Sequence, residues 1–155
     1  MLLHRHASAG ERLESSRLDR ARPLDRMGRA DARRLPDVLA PYEITRLVSS
    51  PHRRCRESLR HLAAARGVEI EQRDELAPDA PVADTKELLA QLPDSALVCT
   101  HREVIGRLFD GEIASEKGGT WIIERRGTRL VPVEYLAPPT TKERERRLGS
   151  LARKR

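Results

Sequence analysis

The chain has 155 residues, 38% apolar and 35% charged, which suits one domain with an aliphatic core. Aromatic residues make up only 3%, too few for a base-stacking, single-strand-binding surface. The net charge of +6 sits mostly in residues 142–155, where seven Lys/Arg and two Glu give +5, against 23 basic and 22 acidic groups before them.

That division predicts a domain over residues 1–141 and a basic, solvated tail over 142–155. A tether to nucleic acid or another anionic partner is the sharper reading of the tail. The near-neutral body disfavours nucleic acid as the main partner. Cys55 and Cys99 are the only cysteines and read as reduced thiols. No apolar run reaches membrane-span length, and the opening run breaks at His4 before it could serve as a signal-peptide core. A soluble cytoplasmic protein with no membrane partner is expected.

Residues 1–6 read as a short strand, and the polar stretch 11–25 as a loop. A helix follows over 26–40, with Asp25 as N-cap and Leu35, Val38 and Leu39 at helical spacing. A second strand, 44–50, is stopped by Pro51. A helix over 52–66 then places Cys55, Leu59, Leu62 and Ala63 on one face, and Gly67 ends it. A short strand is expected at 68–70, a loop at 77–82 and a helix at 84–92. The run "SALVCT", 95–100, is of fully buried strand type. A helix over 102–109 and a hairpin turning around Arg126-Gly127-Thr128 complete the order. Strands alternating with helices predict a three-layer α/β/α sandwich, with a mainly parallel central sheet and the C-terminal hairpin at its edge.

Ligands of such sheets bind beyond the carboxyl ends of the strands. Three strand ends deliver cationic or imidazole groups there. The first ends in Arg5-His6. The second ends in Ser49-Ser50 and runs into a helix bearing Arg53, Arg54 and Arg56. The run "ALVCT" ends in His101. Two histidines with several arginines suit a phosphoryl group, because a guanidinium fork matches phosphate oxygens and a neutral imidazole can attack phosphorus. A second imidazole, if protonated, can balance charge on the equatorial oxygens. Taken singly, most of these residues have plainer readings. His4 reads as a strand residue without a site role, Arg53 and Arg56 as solvated, and Cys99 as buried in the sheet. No acid or thiol set at ligand spacing accompanies His4 and His6, so no metal and no cofactor are expected.

Four motifs occur together over residues 1–111. They are Arg5-His6-Ala7, "RPLDRMGRADARRL" (22–35), "VSSPHRRCRES" (48–58) and "ALVCTHREVIG" (96–106). In this order they resemble the histidine phosphatase superfamily, the phosphoglycerate-mutase-like fold, with Ala7 where the family has Gly. The chain is most similar to the short SixA-type phosphohistidine phosphatases. It also resembles the phosphatase domain fused behind Nudix domains in actinobacterial MutT-type proteins, through residues 99–105 and 117–121. No Nudix box is present in these 155 residues.

The resemblance implies that His6 becomes phosphohistidine, that Arg5 and Arg54 clamp the phosphoryl oxygens, and that His101 stabilises the transferring group. Arg22 and Ser8 would bind substrate at the pocket edge. Glu75, with Asp74 second, would protonate the leaving oxygen. The short stretch between Glu75 and Ser95 lacks the long insertions of the mutases, implying an open, shallow pocket. The expected activity is metal-independent hydrolysis of a phosphohistidine protein or a small phosphorylated metabolite or nucleotide. The alternative is a catalytically weak phosphate- or phosphoprotein-binding module of the same fold.

Overall fold

The computed structural model describes residues 1–154. Six strands form one sheet: β1 (Leu2–Arg5), β2 (Arg46–Ser49), β3 (Ile70–Gln72), β4 (Ala96–Thr100), β5 (Thr120–Arg126) and β6 (Arg129–Leu136). Their order is β3-β2-β4-β1-β5-β6. The β3–β2, β2–β4 and β4–β1 pairs are parallel, and β1–β5 and β5–β6 are antiparallel. This is the predicted mainly parallel sheet with a C-terminal hairpin at one edge. Arg126 pairs with Arg129 across the turn, so the tip is Gly127-Thr128, with Gly127 at φ 63°.

Six helices surround the sheet: α1 (Ser16–Arg20), α2 (Arg26–Val38), α3 (Arg53–Arg66), α4 (Val82–Gln91), α5 (Arg102–Leu108) and α6 (Thr141–Arg153). Strand alternation divides the core between them. Leu2, Leu47, Leu97 and Cys99 pack with Leu35, Leu39, Leu59 and Leu62 of the α2–α3 layer. Leu3, Val48 and Val98 point the other way, to Leu88, Leu89 and Ile105 of the α4–α5 layer. β4 lies between β2 and β1 and is buried along its whole length, which accounts for its unbroken apolar run.

Three local departures have physical causes. Residues 11–25 contain α1, which Ser15 caps by accepting a hydrogen bond from the Leu18 amide. β3 begins at Ile70 rather than at Val68. Gly67 closes α3 in the left-handed conformation (φ 64°), and the Val68 amide still bonds back to the Ala63 carbonyl. α4 begins at Val82 because the Thr85 amide reaches back to the Pro81 carbonyl.

Within the basic C-terminal segment, Thr141–Arg153 is helical and has no buried residue. Its first turn is held to α2. Buried Asp31 accepts from the amide and hydroxyl of Thr140 and faces Arg144 at 3.7 Å. No helix among the described residues is long and apolar enough to cross a membrane.

Candidate active site

Because β2, β4 and β1 are parallel neighbours, their carboxyl ends lie along one edge of the sheet. The turn after β1 is clamped from both sides. The His6 amide donates to the Thr100 carbonyl, and the Gly118 amide lies 3.1 Å from the carbonyls of both Arg5 and His6. Behind the turn, the Ala7 amide donates to Ser58 Oγ on α3. The small side chains of "HASAG" let α2 come close. Ala7 and Ala9 pack against Leu24 and Ala32, and a Cβ on Gly28 would stand 2.0 Å from the Ser8 carbonyl oxygen.

The same turn fixes His6. Its Nδ1 lies 2.8 Å from the Ala7 carbonyl, which only accepts, so Nδ1 carries the proton and Nε2 keeps a lone pair. Burial lowers the imidazole to about 3. The Ala7 bond opposes the shift, while Arg54, Arg5 and Arg22 add to it. His6 is therefore neutral at pH 7.

Asp19, on α1, organises two arginines. Its carboxylate lies 3.0 Å from Arg22 Nε and 3.3 Å from Arg54 Nη2, and its carbonyl accepts from Arg54 Nη1 at 2.8 Å. Arg22 Nη1 also donates to the Ala9 carbonyl at 2.7 Å. Arg5 Nη1 donates to the Ser115 carbonyl at 2.6 Å. These three guanidinium groups and His6 line a cavity of about 800 Å³, together with His52.

His101 is 1% exposed and does not itself line the cavity. Its ring packs edge-on against two imidazoles that do, His6 at 5.2 Å and His52 at 4.9 Å between centroids. His101 Nε2 lies 2.8 Å from Ser50 Oγ and 3.5 Å from Cys55 Sγ. Ser50 Oγ already accepts from the His52 amide. Burial, and then the charges of His6, Arg54, His52 and Arg22, push His101 far below its ordinary value. Burial lowers His52 to about 4, with Arg54 and Arg20 next in effect. Without a bound anion, all three imidazoles are neutral at pH 7. The charge-balancing role expected of His101 therefore requires a ligand whose negative charge raises it.

Five buried side-chain nitrogen or oxygen atoms among the described residues have no protein partner. Four of them belong here: Arg5 Nε, Arg54 Nε, His52 Nδ1 and His101 Nδ1. Buried polar atoms are seldom left this way except where something else binds.

Arg5, His6, Arg54, His101 and Arg22 thus come together. Glu75 and Ser8 do not. Both Glu75 oxygens are bonded to Arg73, at 2.7 and 3.3 Å, and neither Glu75 nor Asp74 lines the cavity. The Arg73 hydrogen bond holds the Glu75 carboxyl below its ordinary value, the opposite of what a proton donor needs. Ser8 Oγ donates instead to Asp25 Oδ2, bracing the cap of α2, and faces a separate cavity beside α6. The carboxylates on the active-site wall are Glu14, Asp19, Asp79 and Glu103.

His4 packs away from the site with Nδ1 2.8 Å from Thr120 Oγ1, and Cys99 is fully buried. Sequence reasoning did not single out Asp19 or His52. The pairing of Asp19 with Arg22 at helical spacing was the available signal for the first. His52 had none beyond its place between Pro51 and Arg54.

The model of the histidine phosphatase superfamily, branch 1, matches residues 1–78. The chain belongs to the histidine phosphatase superfamily. Among curated relatives, this phosphatase-family chain is 30% identical to the 8-oxo-(d)GTP phosphatase of Mycolicibacterium smegmatis over 158 aligned residues. The alignment takes in 92% of the chain but 49% of the relative, so the chain spans about half that protein's length. Among solved structures, it shares its fold with the SixA protein of Agrobacterium tumefaciens. The TM-score is 0.72 at 24% identity, over 88% of this chain and 96% of that one. It likewise shares the fold of the protein histidine phosphatase SixA complexed with tungstate. There the TM-score is 0.72 at 21% identity, over 89% and 97% of the two chains.

Proposed function

We propose that the chain is a metal-independent phosphatase that works through a phosphohistidine on His6. The observation that carries this reading is that three guanidinium groups, Arg5, Arg22 and Arg54, line one cavity with an imidazole whose Nε2 holds a lone pair. Such a set can grip the oxygens of a phosphoryl group while the imidazole attacks phosphorus.

In the first half-reaction, the Nε2 lone pair forms the N–P bond as the substrate's P–O bond, or the P–N bond of a phosphohistidine, breaks. The leaving oxygen or nitrogen takes that bonding pair. Arg5, Arg22 and Arg54 hold the equatorial oxygens. His101, packed edge-on against His6, balances the negative charge that builds there, once the bound anion raises its affinity for a proton. In the second half-reaction, water attacks phosphorus, the N–P pair returns to Nε2, the water proton passes to solvent, and orthophosphate leaves. No step calls on a metal ion.

The substrate reading has two sources. The SixA neighbours are named for phosphohistidine and the Mycolicibacterium relative for a nucleoside triphosphate. Both offer leaving groups that need little protonation, which fits a site from which Glu75 is turned away. Hydrolysis of p-nitrophenyl phosphate in excess EDTA tests the metal-independent part. Unchanged turnover is expected, and loss of turnover restored by a divalent cation would overturn it.

A further inference from the structure

The cavity over His6 carries more positive charge than one phosphoryl group uses. Eight cationic and four acidic side chains line it, a net of four positive charges. The body outside residues 142–155 has a net charge of only +1, so the rest of that body is net negative and the positive field is focused on the cavity.

The inner arginines, Arg5, Arg22 and Arg54, are oriented by protein acceptors at the cavity floor. Beyond them, Arg12, Arg17, Arg20, Arg102 and Lys117 line the wall, and all five are exposed. None of the five forms an ion pair among the described residues, whereas Arg34, Arg46, Arg53, Arg73 and Arg125 elsewhere on the surface do. No Phe, Tyr or Trp lines the cavity, so the groups that dominate its wall are charged rather than aromatic.

We propose that the substrate is a phosphoanhydride, a chain of two or more phosphates. Its terminal phosphoryl group meets His6, and its leaving phosphates lie against Arg12, Arg17, Arg20, Arg102 and Lys117, held by charge. This deepens the phosphatase reading and rests on it. The Nε2–P bond forms as the bridging P–O bond breaks, and the pair departs on an oxygen of the shortened phosphate chain. Because that leaving phosphate is already stable as an anion at neutral pH, it needs no carboxylic acid behind it. A concave wall of ligand-sized volume favours a small polyanion over a flat protein surface.

The test compares inorganic tripolyphosphate, p-nitrophenyl phosphate and a phosphopeptide with acidic flanks in the wild type. It repeats the first two in Arg12→Ala/Arg17→Ala/Arg20→Ala, with Arg60→Ala on the exposed face of α3 as control. The triple variant is expected to lose roughly tenfold more kcat/KM on tripolyphosphate than on p-nitrophenyl phosphate, and added salt to narrow that gap. The control should leave the ratio of the two substrates unchanged. Equal losses on both substrates would overturn the proposal while leaving the phosphatase reading intact. A wild-type preference for the phosphopeptide over tripolyphosphate would overturn it in favour of a protein substrate. Failure of the wild type to hydrolyse any of the three would remove the phosphatase reading and the proposal with it.

Discussion

Asp19 accepts from the Leu13 amide and faces both Arg22 and Arg54, so one carboxylate sets the position of two guanidinium groups of the candidate site. The Arg54 side chain is 5% exposed, and a buried guanidinium that loses its partner is costly. Asp19→Asn should therefore destabilise the protein by about 2–3 kcal/mol in denaturant titrations. It should also lower kcat/KM for p-nitrophenyl phosphate by roughly 10- to 100-fold as the fork of Arg54 drifts. Loss of stability without loss of kcat/KM would show that Arg54 needs no orientation. Glu75 makes the contrasting case. Paired with Arg73 on the surface, it forms the kind of ion pair worth about 0–1 kcal/mol, and it does not line the cavity over His6.

At the scale of elements, the contact between the turn after β1 and the start of α2 decides whether the site closes. Asp25 Oδ1 accepts from the Gly28 amide at 2.8 Å, and its Oδ2 accepts from Ser8 Oγ at 2.6 Å. A methyl group on Gly28 would meet backbone, not a movable side chain. Gly28→Ala should cost about 3 kcal/mol and lower Tm by roughly 6–12 °C in a thermal melt. An unchanged melt would mean that the turn is pliable. Much of this level was legible in the sequence. The strand ends carrying Arg5-His6 and His101, the cap at Asp25 and the stop at Gly67 are each set by local chemistry. α1 was not legible, because five residues within a polar stretch leave no apolar period to detect. Through Asp19 that short helix determines the arginine geometry. Glu75 misled for a related reason. Its place after β3 is local, but its direction depends on Arg73, and no spacing rule reveals which way a surface carboxylate turns.

The molecule as a whole buries several imidazoles without charge. Burial lowers His4 to about 4, His6 to about 3 and His52 to about 4, and depresses His101 as well, all from an ordinary 6.5. Between pH 6.5 and about 4 the unfolded chain binds protons that the native chain does not, so stability must fall as pH falls. Each fully buried histidine contributes roughly 2 kcal/mol of that loss between pH 7 and pH 5. Urea titrations at the two pH values should differ by about 4 kcal/mol or more, and saturating tungstate should narrow the gap by stabilising protonated imidazoles in the site. Equal stability at pH 7 and pH 5 would contradict neutral burial of these rings.

Covalent capture of phosphorus by His6 would show in the intact mass of the protein. Wild type and His6→Ala would be mixed briefly with p-nitrophenyl phosphate and quenched without acid. A single acid-labile phosphoryl adduct is expected on the wild type and none on His6→Ala, with turnover reduced roughly 10³-fold or more in the variant while it keeps its fold. An adduct that persists in His6→Ala, or wild-type turnover with no adduct at any quench time, would contradict covalent capture by His6.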